Sequence, residues 1–402
     1  MTQTIETEYT APDAVHRFQR LALIVGIVGA IVLVLALIID PAQLRRSFMF
    51  AYLFWTSLAV GSLAITLLQH LSGGVWGRTL RRFTEAGAFT IPLMGALFFL
   101  VVGWGLGDVY PWARPGVMQN SEALRTKEAY LNVPFFLLRI AIYFILWSLF
   151  ALILNSWSTR LDSTGDLRYQ ARLTRVSAPG MVLFGVTITL GAVDLIMSLE
   201  PEWFSTIFGA IIGMTMVLNA FAFMIMMLAL FTLRGPLRDI MSAEHFHDVG
   251  KLLHAFIILW TYFNFSQFLI IWVGNLPFEA VYYADRLLGG WEWVGLLVLV
   301  LQFIAPFLLL LSASIKRNPR ALAAVALLVV VAGVVVSYWY VAPAFSPTKF
   351  SLHWMDFVAF VALGGIWLAA FLWRLAARPL LPLYVLPLVH PRTRRRLENV
   401  GH

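Results

Sequence analysis

The sequence predicts an all-α, polytopic membrane protein with ten transmembrane helices. Three observations carry that reading. Of the 402 residues, 60% are hydrophobic and only 12% are charged, against about 25% charged in soluble domains. The mean hydropathy is +0.81. Ten apolar stretches also reach the roughly 20 residues that a helix needs to cross the hydrocarbon core.

Residues 1–20 are polar and of mixed charge, with no cleavable-signal pattern, and read as a cytoplasmic N-terminus. The first span, Leu21–Ile39, is then a permanent anchor rich in Leu, Val and Ala. Phe48–His70 and Ala86–Leu106 follow, separated by the basic run Arg78, Arg81 and Arg82. Leu131–Leu154 encloses Arg139, and Gly180–Leu199 encloses Asp194. Thr206–Leu230 and Val249–Val273 are long enough to tilt. Trp293–Leu311, Ala321–Val341 and the plain span Met355–Leu375 complete the ten, and residues 376–402 form a basic cytoplasmic tail. The first and last spans carry no ionisable residue inside. The eight between them divide as four plus four, without clear self-similarity of sequence.

Twenty of the 29 Lys and Arg fall on the side of the N-terminus and seven on the other, with Arg139 and Lys251 inside spans. That asymmetry predicts both termini in the cytoplasm. The net charge of +8 comes largely from loop arginines and calls for no nucleic-acid partner. The chain has no cysteine. It therefore holds no thiolate-ligated Fe–S cluster, no attached c-type haem and no disulfide. Only His70 and His254 lie near span interiors, both toward the same end, which argues against a bis-histidine haem.

The stretch Gly191 to Gly209 organises the chemistry. Asp194 sits about 9 Å below the outer end of its helix, and Arg139 about 12 Å below the same face on the preceding span. Neighbouring antiparallel helices bring such residues together, either as a static ion pair or as a carboxylate that responds to a redox or conformational event. Glu200 closes the turn, with Glu202 and Trp203 following. On the seventh span Asp248, Lys251, His254, Tyr262 and Ser266, with Thr261 at the margin, share a sector of about 140°. Such a stripe is expected to face protein or a water-filled cavity, either as a proton half-channel or as interhelical hydrogen bonds. Glu200, Glu202 and His353 near the outer face, with the aromatic outer loops, offer polar groups to a quinone slot.

These residues resemble a known family. Asp194-Leu-Ile-Met-Ser-Leu-Glu-Pro-Glu-Trp-Phe-Ser-Thr-Ile-Phe-Gly209 is similar to a signature of the NrfD/polysulfide-reductase-type membrane subunits of bacterial alternative complex III. Also similar are Tyr130-Leu131-Asn132 with Phe135-Phe136 and Arg139, and His247-Asp248-Val249-Gly250-Lys251-Leu252-Leu253 with Tyr262, Phe265-Ser266-Gln267, Trp272 and Asn275-Leu276-Pro277. The length resembles the second, shorter of two paralogous subunits.

The resemblance implies two four-helix bundles, residues 48–199 and 206–341, flanked by peripheral helices 21–39 and 355–375. It implies a quinol:electron-acceptor oxidoreductase that delivers electrons to cytochrome c or a similar carrier, in a respiratory or photosynthetic chain. The implied partners are a paralogous quinol-binding subunit, an Fe–S/molybdopterin-like subunit, multihaem and monohaem cytochrome c subunits, small membrane subunits and lipids. Haem c and Fe–S clusters belong to those partners, and quinol or menaquinol is best attributed to the other paralogue. For this chain the implied role is proton conduction, with Asp248, Lys251 and His254 on an inner half-route and Asp194, Arg139 and Glu200 on the outer side. The rival expectations are a structural scaffold and a secondary transporter. The transporter fits less well, because Pro and Gly interruptions fall mostly at span ends, apart from positions such as Pro92 and Pro306.

Overall fold

A computed structural model describes residues 12–381. Ten of its helices are long and apolar enough to cross a membrane: α1 (Asp13–Ile39), α2 (Pro41–Ser72), α3 (Val75–Val101), α4 (Val133–Thr164), α5 (Leu167–Leu199), α6 (Phe208–Arg234), α7 (Ala243–Gly274), α8 (Trp291–Leu311), α9 (Pro319–Ala344) and α10 (Trp354–Ala376). Each covers one expected span, and there is no strand among the described residues. Residues 1–11 and, of the basic tail, residues 382–402 lie outside the described residues.

The helices overrun their apolar stretches because their polar ends are capped. Asp40 accepts from the Gln43 N–H at 2.9 Å while Pro41 opens α2, so α1 reverses into α2 across one residue. Asn132 caps α4 and Asn318 caps α9. His353 and Asp356 form a reciprocal box that starts α10. Helix α1 begins at Asp13, inside the polar stretch 1–20 that was expected to precede the first span.

Two spans depart from simple rods. Helix α3 starts eleven residues before Ala86, because Arg81, Arg82 and Glu85 neutralise one another inside it, and it bends at Phe89–Thr90 ahead of Pro92. Helix α8 widens to a π-helical turn over Leu299–Ile304, just before Pro306 withdraws a backbone donor.

Helix α2 is buried throughout its apolar length and α6 nearly so. They cross almost backbone to backbone. A side chain on Gly61 of α2 would meet the Met216 carbonyl oxygen of α6 at 2.0 Å. Asn219 of α6 donates to the Ser57 hydroxyl of α2 at 3.0 Å. Several hydroxyls inside α2 return to their own helix, as Ser62 does to the Leu58 carbonyl at 2.5 Å, while the Thr56 hydroxyl is buried without a partner. Around this pair, α3, α5 and α10 pack on α2, while α7 and α9 pack on α6. Helix α4 packs on α5 and α3. Helix α1 lies outermost, seated along α10.

The α1–α10 contact depends on missing side chains. A Cβ on Gly26 would lie 2.6 Å from the Ile366 backbone nitrogen, and one on Gly365 2.4 Å from the Gly26 nitrogen. Gly26→Ile is expected to lift α1 from α10 at a cost of about 1–3 kcal/mol. Thermal melts of the detergent-solubilised protein, with limited proteolysis of α1, would register it; unchanged melting and protection would contradict the packing.

Candidate functional site

Polar groups line the buried face of α4 from end to end. The upper anchor is Arg139, whose Nε and Nη2 donate to the two carboxylate oxygens of Asp194 on α5 at 2.9 and 2.8 Å. The Tyr143 hydroxyl donates to the same carboxylate at 2.9 Å, and Arg139 Nη1 donates to the Tyr130 carbonyl at 2.9 Å. The guanidinium lies between the Tyr130 ring (3.8 Å) and the Phe135 ring (4.4 Å). Asp194 is fully buried. A two-pronged guanidinium and a phenol give that carboxylate three donors in a low-dielectric setting, which offsets the cost of taking it out of water. Tyr130, in the loop before α4, feels the same charge. Burial and the Asp194 carboxylate push its hydroxyl up to about 12. This is the pairing expected between neighbouring spans.

Below Tyr143 the polar positions continue at helical spacing. Trp147 donates to the Thr187 hydroxyl of α5 at 2.8 Å. Asn155 donates to the Glu85 backbone carbonyl of α3 at 3.1 Å. Ser158 accepts from Arg82 at 3.2 Å, and Asp162 pairs with Arg82. From Arg139 to Asp162 the ladder covers about 35 Å at 1.5 Å per residue. Its one apolar rung is Ala151, which leaves about 12 Å between Trp147 and Asn155.

The lower anchor is a second buried charge cluster. Glu85, 1% exposed, accepts from Arg81 and Arg82 at 2.8 Å each, and Arg378 lies 3.8 Å away. Arg374 reaches the Asn155 side chain at 3.4 Å and stacks on Phe89. Four guanidinium groups thus surround two carboxylates. The sequence reading assigned Arg81 and Arg82 to a loop and passed over Glu85, Asn155, Ser158 and Asp162. The four- and three-residue spacing from Arg139 through Tyr143 and Trp147 to Asn155, Ser158 and Asp162 was the available signal.

Glu200 does not join the Asp194 cage. It pairs at 2.5 Å with Arg286, from the loop between α7 and α8. Arg286 also donates to the carbonyls of Tyr282 and Tyr340, at 3.0 and 3.3 Å, and its guanidinium lies 3.6 Å from the Tyr282 ring centre. Trp203 stacks on the other side of that ring at 4.1 Å. Burial raises the Tyr282 hydroxyl well above its ordinary value. Glu202 is exposed and accepts from Ser121. His353 spends Nδ1 on capping α10 and lines a cavity of about 290 Å³ with Arg46, Tyr338 and Asp356. The three groups considered for a quinone slot are thus engaged separately.

The α7 stripe falls on the side of the helix away from the core. Its sector lies roughly 160° from the one that holds the buried Leu253, Ile257, Trp260, Gln267 and Ile271. Tyr262 is 62% exposed, and Asp248 and Lys251 pair with each other at 2.8 Å while remaining about half exposed. Ser266 is half-buried. His254 packs edge-on against Phe307, and its Nε2 is buried without a hydrogen-bond partner. The inward polar face is a different set. Trp260 donates to Thr215 of α6 at 2.9 Å, Asn264 accepts from Tyr340 of α9 at 3.2 Å, and Gln267 binds Ser205 and Tyr283 at 2.7 and 3.2 Å. Periodicity groups residues on a face but does not say which neighbour the face meets. Here the indole and amide groups, having fixed partners on four other segments, take the inside.

No family model matches the chain, and no curated protein matches it.

Asp194→Asn is expected to destabilise the protein by about 3–5 kcal/mol, because it strands a buried guanidinium. Combining it with Arg139→Gln is expected to recover part of the loss. A double-mutant cycle from denaturation in detergent would measure the coupling; simple additivity would contradict the paired geometry. Glu85→Gln is expected to be at least as costly as Asp194→Asn, since Arg81 and Arg378 lose their counter-charge and Arg82 keeps only Asp162, and the same denaturation assay would check it; a neutral effect would contradict the cluster.

Proposed function

We propose that the chain is an integral subunit of a quinol:electron-acceptor oxidoreductase complex, akin to the NrfD/polysulfide-reductase-type subunits of alternative complex III, and that it carries protons along α4. In this reading both termini are cytoplasmic, and α2–α5 and α6–α9 form two four-helix bundles flanked by α1 and α10 in a bacterial inner membrane. The observation that carries the proton role is the ladder itself. A carboxylate stands at each end, Asp194 and Glu85, with hydroxyl, indole and amide groups between them. Keeping ionisable groups at lipid depth is costly, so a cluster of them at each end of a polar row marks a task.

The motif residues support the family reading by where they gather. Tyr130, Arg139 and Asp194 meet in one cage, and Glu200 and Trp203 contribute to the second. The proton-exchange chemistry follows from the cages. The oxygens of each carboxylate are occupied by its arginines, so accepting a proton requires a guanidinium to move aside, and an event in a neighbouring redox subunit supplies that displacement. Water fills the step past Ala151 in this account, since hydroxyl and amide neighbours can hold it. The outward stripe on α7, with Asp248, Lys251, His254, Tyr262 and Ser266, faces a partner subunit, which buries it. Quinol oxidation, haem c and Fe–S chemistry belong to the partners.

A second reading, a static scaffold in the same complex, is favoured by one observation: both Asp194 oxygens are already taken by Arg139 and Tyr143. One experiment separates the two. Asn155→Leu and Tyr143→Phe break rungs without adding charge. In the whole complex reconstituted in vesicles, with quinol and electron acceptor supplied, the variants are expected to keep electron transfer but lose several-fold in protons moved per electron. An unchanged proton-to-electron ratio in both variants would leave the scaffold standing.

A further inference from the structure

A cavity of about 440 Å³ opens between the α2–α3 turn and the α4–α5 turn, at the end of the molecule that holds Glu85. Gln69 and His70, in the last turn of α2, line it and are 6% and 5% exposed. Neither the amide nitrogen nor the amide oxygen of Gln69 has a hydrogen-bond partner, and neither does Nε2 of His70. Stranding a buried donor or acceptor is costly. Three such atoms on one wall call for a ligand.

The rest of the wall identifies its chemistry. Arg78 and Arg81 of α3 line the cavity, and Arg81 is steadied from behind by the Glu85 carboxylate at 2.8 Å. No acidic side chain lines it among the described residues. Gly73 and Gly74 form its rim with φ of +66° and +90°, so bare backbone lies there in a conformation that side chains disfavour. Leu167, the first residue of α5, also lines it, adding the positive end of a long helix. The guanidinium groups and the amide N–H are donors, and the imidazole can add one through its Nε2–H tautomer. They repel a cation and suit a group that has only acceptor oxygens and a negative charge.

We propose that this cavity binds a phosphoryl group. Two sources share that chemistry: the headgroup of an anionic phospholipid, and free phosphate. The site sits where spans end, and the unpartnered Gln69 oxygen can accept from a hydroxyl of a glycerol headgroup.

Native mass spectrometry of the full-length, delipidated protein in detergent tests it, with dioleoyl-phosphatidylglycerol, phosphate-free dioleoylglycerol and inorganic phosphate as probes. One phosphatidylglycerol is expected per chain, with no retention of dioleoylglycerol. Gln69→Leu and Arg78→Gln are each expected to weaken binding at least tenfold, with melting curves reporting whether each variant is folded. Arg78 is only half-buried at the start of α3, so its variant keeps the test open if Gln69→Leu fails to fold. Saturable binding of inorganic phosphate without lipid retention supports the same site with the free ion as its source. No saturable binding of either probe, or folded variants that bind as the wild type does, would overturn the proposal.

Discussion

A charged group cannot sit alone at hydrocarbon depth, and that constraint fixes how this chain is put together. Arg139 needs Asp194, so the first turns of α4 and the last turns of α5 are tied across a single bidentate contact. Glu85 needs Arg81 and Arg82, and Arg82 in turn needs Asp162, so α3 and the last turns of α4 are tied as well. Helix α4 is thereby pinned at both ends by ion pairs, with the ladder running between the pins. Ion pairs of this kind stabilise little in net terms, because desolvation consumes most of the attraction. Their effect is specificity: any register of α4 against α3 or α5 other than the observed one leaves a guanidinium unpaired.

The segment from Asp194 to Phe208 stands between two arginine cages. One comes from the start of α4 and the other from the loop before α8, and each cation lies against a tyrosine ring that burial keeps protonated. The acids differ in origin: Asp194 lies inside α5, whereas Glu200 lies just beyond it. The segment thereby ties the start of α4 to the loop before α8. Elsewhere α2 and α6 cross in close backbone contact at Gly61.

Much of this was legible in the sequence. Ten spans stand where apolar length placed them, and Asp194 with Arg139 was readable because a lone acid and a lone base in consecutive antiparallel spans at similar depth have few other partners. The clusters that were missed share a cause. Arg81, Arg82 and Glu85 precede an apolar run, and hydropathy assigns such residues to a loop, although three charges spaced three and four apart can neutralise one another and prolong a helix. Arg286 lies in a loop by any sequence criterion, and only folding carries it to Glu200. The α7 stripe shows the remaining limit. Its residues do share a face, yet Trp260, Asn264 and Gln267 bid for the interior with more specific bonds, and helical periodicity is blind to that competition.

The account comes down to whether α4 carries a continuous hydrogen-bonded path or two separate ion-pair clusters. The step between Trp147 and Asn155, past Ala151, is where the two differ. A density map of the assembled complex at a resolution that reveals ordered water tests this directly. The account predicts bound waters joining the Trp147–Thr187 rung to Asn155. A dry, closely packed step at Ala151 would contradict it and leave α4 as a scaffold pinned at its ends.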